Sequence, residues 1–198
     1  QKYVDNDDSN EANKLLDYQS TEAENKLRIE ETVRKDDWKI NYGAGIEWAE
    51  YTTTTFQKLE NEVTLNYSSE IGVFKYGAFG QVSKGVLSER LQLSLGARID
   101  ANNFNAHMAN PLNQFSPRLS ASYSLSQKMA INFNTGIYYQ LPPYTTLGYR
   151  NTAGELVNKD VKYIQSKHVV LGIEYNTSKN ARITVEGFYK HYSNYPMD

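Results

Sequence analysis

The sequence predicts an all-β chain, an antiparallel up-and-down meander of about eight strands. Three observations predict it. From residue 24 onward, apolar and polar residues alternate with a period of two. The connections between alternating runs are short and long in strict turn. No segment shows convincing helical spacing, and no apolar run approaches the ~20 residues that a transmembrane helix needs.

Each strand rests on its own pattern. In "KLRIEETV", Leu27, Ile29 and Val33 share a face that Glu31 interrupts. "KINYGAGIEW" sets Ile40, Tyr42, Ala44, Ile46 and Trp48 against Lys39, Asn41, Gly43, Gly45 and Glu47. "VFKYGAFGQVSK" alternates less cleanly and leaves its facing open. "LQLSLGARI" is the clearest, with Leu91, Leu93, Leu95, Ala97 and Ile99 opposite Gln92, Ser94, Gly96 and Arg98. Leu119, Ala121 and Tyr123 then oppose Arg118, Ser120 and Ser122. Met129, Ile131, Phe133, Ile137 and Tyr139 oppose Asn132, Asn134, Gly136 and Tyr138. "HVVLGIEY" and "ARITVEGFYK" close the series.

These runs form four hairpins, at about 24–51, 72–100, 116–139 and 167–191, within a barrel segment spanning 24–198. Residues 1–23 are expected to be a polar terminal segment or loop, since "DNDDSNE" carries little to bury. The acid run is no calcium loop: counted from Asp5, Asn10 stands where glycine is needed and Leu16 where glutamate is needed. The turns "KDD", "GVLSER", "SQK" and "TSKN" alternate with long segments at roughly 52–71, 101–116 and 140–166. That rhythm suits a barrel with tight turns at one rim and extended loops at the other.

The same alternation serves a soluble barrel whose apolar rows turn inward. Three features favour lipid outside. The runs are about 10–13 residues long, against the 9–11 that cross tilted hydrocarbon. Trp38, Trp48, Tyr51, Tyr139, Tyr175, Tyr189 and Tyr192 sit near run ends, as in interfacial girdles, within a chain holding 16 Tyr, 7 Phe and 2 Trp. The polar rows mix small residues (Gly43, Gly45, Ser120, Ser122, Gly136, Gly172) with Arg98, Arg118, Glu174, Glu186 and Lys190, as the wall of a wet lumen does.

Chemistry is excluded class by class. There is no cysteine, hence no disulfide, zinc-thiolate or thiol nucleophile. The formal charge of −2 and the lack of a basic stripe argue against nucleic acid. His107, His168 and His191 are far apart and lack partners at metal-ligand spacing. "GAGIEW" lacks the third glycine and the following helix of a dinucleotide site. Glu30 and Glu31 point to opposite faces of one strand, so they are no glycosidase pair. No nucleophile elbow is present, and the chain is read as a non-enzyme with no catalytic residue, metal or cofactor.

Binding residues are expected in the long segments. "YYQLPPYTTLGYRN" gathers Tyr138, Tyr139, Tyr144, Tyr149, Arg150 and Asn151 around a stiff Pro142–Pro143 start. Aromatic faces beside amide and guanidinium donors suit stacking and hydrogen bonding to a sugar or an iron chelate. Asn103 and Phe104 in the 101–113 segment are a second group. The competing reading is that these rings pack the loops together or form the upper girdle.

"YGAFGQVSKGVLSERLQLSLGARID" followed by "FSPRLSASYSLSQKMAINFNTGIYYQLPPY" resembles the barrel of TonB-dependent outer-membrane receptors, in which a hairpin ending "L-x-L-x-x-G-x-R-x-D" precedes an "S-P-R" strand. "SKHVVLGIEYNTSKNARITVEGFYKHYSNYP" is similar to a later hairpin. The resemblance covers roughly residues 72–195, and 24–56 more loosely. It implies a plugged barrel of about 22 strands, of which this chain is an internal segment. The implied location is the outer membrane. The implied function is nutrient import, of an iron chelate, cofactor or oligosaccharide captured by outer loops and lumen. Partners are then outer-membrane lipid, a plug and TonB contacted through parts not in this chain, and the ligand. The chain ends "YPMD", without the terminal aromatic strand that outer-membrane barrels commonly carry. Eight strands suffice to close a membrane barrel; a segment that does not close is expected to offer two open strand edges for self-association. A complete small eight-stranded outer-membrane protein and a soluble ligand-binding barrel stand as alternatives.

Overall fold

Successive side chains on a strand point to opposite faces, so a period-two sequence sorts itself into two surfaces once its strands pair. The computed structural model describes residues 14–58, 63–178 and 181–196. Eight strands pair antiparallel, each with its chain neighbours: β1 (Leu16–Lys35), β2 (Trp38–Lys58), β3 (Thr64–Val86), β4 (Leu91–Asn102), β5 (Ser116–Ser124), β6 (Met129–Gln140), β7 (Ile164–Ser178) and β8 (Ala181–Ser193). Among the described residues β1 and β8 do not pair with each other, and the curved sheet makes half a barrel.

Register carries the apolar rows across the sheet, with a shift only near the β7–β8 turn, between Asn176 and Ser178, among the described residues. Ile29, Ala44, Ala78 and Ile99 lie side by side on β1 to β4. Leu95 pairs Leu119, Ala121 pairs Phe133, and Ile131 pairs Ile173, which pairs Val185. This face is open: Leu95 is 59 % exposed and Val185 69 %. The opposite face holds Gly45 against Gly77, Glu47 against Lys75, Arg98 against Phe79 and Ser122 against Asn132. The apolar rows therefore face outward and the small and charged rows inward, which is the reverse of a soluble ligand-binding barrel. On β3, Phe74, Tyr76 and Ala78 are outward and Val73, Lys75 and Phe79 inward, as their partners on β2 require. Glu31 is outward, and its carboxylate accepts a hydrogen bond from the Tyr42 hydroxyl opposite.

The aromatic girdles can be measured on β2. Trp38 and Trp48 are both outward, separated by ten residues or ~33 Å of strand. At the ~40° tilt of membrane strands that is ~25 Å of height, the thickness of the apolar band. Tyr139, Tyr175 and Tyr189 are also on outward rows. Tyr51 and Tyr192 are not: both lie on inward rows, and Tyr51 is 1 % exposed. Strand-end position alone does not make a girdle residue, because the face decides.

Segment 52–71, expected as a long loop, is mostly strand. β2 and β3 stay paired from Trp38↔Lys84 up to Lys58↔Thr64. Above the girdle the outward row meets water and turns polar (Glu50, Thr52, Thr54, Ser68, Glu70), and the buried inward row is itself partly polar (Thr53, Thr55, Ser69), so the alternation disappears while the β-branched residues keep the strand extended. β1 likewise begins at Leu16 rather than near 24 and pairs as far as Gln57. The rest of the expected terminal segment, 1–13, lies outside the described residues. β1, β2 and β3 thus reach 20, 21 and 23 residues, twice what the membrane needs.

The tight turns lie at one rim as expected, with Asp36 left-handed (φ 52°) between β1 and β2. The "TSKN" turn falls partly outside the described residues. At the other rim, the β4–β5 connection holds helix α1 (Ala106–Ala109), capped by the Asn105 side chain, and a 3-10 turn (Pro111–Gln114) capped by Asn110. The β6–β7 connection holds helix α2 (Tyr144–Leu147), started by Pro143.

A candidate ligand site in the lumen

The β6–β7 connection leaves its strand at Pro142 and folds inward over the concave face of β2 and β3. Leu147 and Pro142 are fully buried there. Gly148 makes the approach possible, since a Cβ at that position lies 3.1 Å from the Tyr51 ring and 3.3 Å from Ser69 Oγ. Tyr144 stacks on Tyr51, with centroids 6.1 Å apart and rings 24° from parallel. Tyr149 meets Tyr67 edge-on at 6.0 Å. Within the loop, Asn158 Nδ2 donates to Thr146 O at 2.8 Å.

Beneath α2 lies a charged cluster contributed by three strands. The Tyr144 hydroxyl accepts from Lys75 Nζ at 2.7 Å and donates to Glu24 Oε1 at 2.9 Å. Lys75 also contacts Glu47 and reaches Glu24 at 3.3 Å, while Lys26 sits 2.5 Å from Glu24 and 3.4 Å from Glu47. Lower down, Arg98 clamps Asp100 through two bonds of 2.6 Å, and Arg28 lies over the Phe79 ring at 4.8 Å. Lys26, Glu47, Lys75, Arg28, Phe79, Arg98 and Asp100 line a cavity of about 470 Å³, with Tyr163 and Arg118 at its edge. Asn102, wholly buried, donates to the Tyr163 hydroxyl at 2.8 Å, and burial pushes that phenol up to about 12. Burial also raises the Tyr144 phenol, so both hydroxyls keep their protons at neutral pH.

The residues expected from the sequence fall into separate places. Tyr144 joins the charged cluster. Tyr138 stands apart on the inward face of β6, stacked on His168 at 4.5 Å with Arg118 over its ring at 4.6 Å. Tyr139 is on the opposite row from Tyr138, and its hydroxyl accepts from Gln165 Nε2 at 2.6 Å. Tyr149 is half-exposed on the outer part of the loop. Arg150 and Asn151 build that loop. Arg150 donates to Gly154 O at 2.9 Å, and Asn151 Oδ1 accepts from the Ala153 and Glu155 amides. Asn103 Oδ1 accepts from the Phe74 amide at 2.8 Å, and the Phe104 amide bonds Asn102 Oδ1. The sequence reading missed Glu24, Lys26, Glu47 and Lys75. Their one signal is a charge placed mid-strand on an inward row, the same signal that singled out Arg98 and Arg118.

An open antiparallel meander with a girdled apolar outer face and a charged inner face is the wall of a membrane β-barrel. Its family follows from the sequence as a whole: the family described as TonB dependent receptor-like, beta-barrel, matches residues 1–198, and the chain belongs to it. Barrels of this family are outer-membrane proteins. The fold is similar to that of the copper transporter OprC, at 20 % identity and TM-score 0.66, over 88 % of this chain and 31 % of that one. It is similar to the structure of the FpvAI–pyocin S2 complex (14 % identity, TM-score 0.65, 89 % and 26 %). The outer membrane transporter YddB from Escherichia coli also matches (16 % identity, TM-score 0.58, 88 % and 26 %). The chain thus spans about a quarter to a third of the length of these structures. No curated protein sequence matches it.

Proposed function

We propose that this chain is part of the barrel of an outer-membrane receptor that imports a scarce nutrient, an iron chelate, a cofactor or an oligosaccharide, captured by outer loops and lumen. The observation that carries the reading is the β6–β7 connection folded inward over a cavity walled by cations and rings. Phe79 and Tyr163 supply apolar faces and Arg98 and Lys75 supply donors, while Tyr144, from the loop above, holds Lys75. A few polar groups converging on such a cavity fix a ligand's orientation, and the rings add contact area. Tyr138 with Arg118 makes a lower station on the same wall. A plug and an energy-coupling partner belong to other parts of the receptor. In this reading the chain contributes affinity and the passage wall, and it performs no chemistry.

The test uses the full-length receptor, with titrations of a ferric catechol chelate, a corrinoid and a linear oligosaccharide followed by calorimetry. One of the three is expected to bind, and Tyr144→Ala with Arg98→Ala to weaken it about tenfold or more, as loss of one or two hydrogen bonds to charged groups does. Binding by none of them, or undiminished binding by the double variant, removes the support for a lumen site.

A further inference from the structure

The inward face of the sheet is divided. On β1 and β2 its middle is meshed by charge, where Arg28 Nη2 donates to Glu30 at 2.7 Å and Asn41 Nδ2 donates to the other Glu30 oxygen at 3.0 Å. On β4, β5 and β6, below Arg98 and Arg118, none of the described inward residues is charged. Two transverse rows fill that part of the wall, Ser94, Ser120 and Asn134 above and Gln92, Ser122 and Asn132 beneath. β5 then ends at the inward Ser124, so the uncharged wall is continuous from Arg118 to the rim of tight turns. It lines a concave cavity of about 560 Å³, whose far side carries Glu186 and Lys190 of β8.

We propose that an imported solute leaves the upper cavity along this β4–β6 side of the lumen, passing from the Tyr138–Arg118 station onto the two uncharged rows. Three observations support the route. The outer end is fastened: Asn105 donates to Lys159 O and Val161 O at 3.0 and 2.9 Å, tying the β4–β5 connection to the β6–β7 connection at the outer rim. The inner part has room. A Cβ on Gly136 lies 3.0 Å from the Tyr138 ring and 3.2 Å from Arg118 Cγ, and one on Gly172 lies 3.0 Å from Glu186 Cγ, so these glycines let three large side chains lie flat against the wall. The polar groups of the rows also hold one another. Ser94 Oγ donates to Ser83 Oγ at 2.6 Å, Ser122 Oγ to Asn132 Oδ1 at 2.7 Å, and the Tyr138 hydroxyl to Asn134 Oδ1 at 3.3 Å.

Such a wall gives a solute something to hold and then lets it go. Hydrogen bonds to neutral groups are about half as strong as those to charged ones. Each hydroxyl or amide offers both donor and acceptor, so a solute can trade one row's bonds for the next row's without being left unpaired. Passage needs that balance, firm enough to enter and loose enough to leave. Successive rows are two residues or ~7 Å apart along the strand, so a longer solute touches the next row before it leaves the last. On the β1–β2 side the same solute meets the Arg28–Glu30 pair, which holds a charged group or has to be broken. The route rests on the import reading above and names which side of the lumen conducts.

The experiment uses the full-length receptor, freed of other cysteines, in cells supplied with the ferric catechol chelate, the corrinoid and the linear oligosaccharide together. Single cysteines replace Ser122 on the track and Thr32 on the inward row of β1, and a sulfonated, membrane-impermeant maleimide is added outside. Ser122→Cys is expected to label about tenfold faster in energised cells than after collapse of the proton gradient, and Thr32→Cys at one rate in both. Ser120→Trp, which obstructs the track, is expected to lower uptake about tenfold with the binding constant within about twofold of wild type, whereas Thr32→Trp changes neither. Unheated gel mobility confirms that each variant is folded. An energy-dependent response at Thr32→Cys, no response at either cysteine while a probe is taken up, or full uptake by Ser120→Trp overturns the route and leaves the import reading standing. No uptake of any probe, with neither cysteine responding, overturns the import reading and the route with it.

Discussion

Replacing Tyr144 by phenylalanine removes one oxygen from the contact that fastens the inward loop, and its effect can be worked from the geometry. The hydroxyl makes two bonds to charged groups, from Lys75 and to Glu24. Hydrogen bonds to charged groups contribute ~1.5–3 kcal/mol each when both partners lose solvent. Here Lys75 and Glu24 still hold each other at 3.3 Å, and both keep further partners, so neither is stranded. The net cost is then about 1–2 kcal/mol, a factor of ~5–30 in the open population of the loop. The ring remains, so its stacking on Tyr51 is retained. Hydrogen exchange in the full receptor reads this directly. The Gly148 amide donates to Tyr144 O at 2.7 Å and the Leu147 amide to Pro143 O at 3.1 Å. Both are expected to exchange ~5–30-fold faster in Tyr144→Phe, with the amides of β2 and β3 unchanged. Exchange at the wild-type rate would show that the hydroxyl does not hold the loop.

The membrane facing makes a second prediction. Leu171→Arg, in the middle of the outward row of β7, is expected to cost ~2–4 kcal/mol of folding into lipid vesicles, whereas Ser120→Arg on the inward row of β5 costs little; equal losses contradict the facing. Strand pairing makes a third. Gly43→Ala places a Cβ 2.5 Å from Ile29 O and 2.8 Å from the Phe79 ring, so a loss of about 1–3 kcal/mol in urea titration is expected, while Gly80→Ala is near neutral; the opposite ranking contradicts the register of β1 to β3.

How much was legible in the sequence depended on how many media a residue separates. Leu91 to Ile99 could be read because each outward residue meets lipid and each inward one meets water. Thr52 to Thr55 could not, because the outward Thr52 and Thr54 meet water while the buried inward Thr53 and Thr55 are the same polar residue, so hydropathy does not tell the two faces apart. The β-branched threonines were the remaining strand signal, and they were weaker than the expectation of a loop. Tyr51 shows the same limit from the other direction: a ring near a strand end is a girdle residue only on the outward row, and one step in parity moved it into the lumen. The loop tyrosines were found because rings around Pro142–Pro143 stand out locally. Their partners were not found, since Glu24 and Tyr144 lie 120 residues apart and only the curvature of the sheet brings them together.

The outer-rim contacts described above also bear on exchange of parts between related receptors. Asn105 ties the β4–β5 connection to the β6–β7 connection, Asn102 ties β4 to Tyr163, and Tyr67 and Tyr51 on the upper hairpin hold Tyr149 and Tyr144. A loop grafted alone from a relative would arrive without the groups that dock it. The unit that can be inherited or transplanted intact is the trio: the upper β2–β3 hairpin with both connections, moved together.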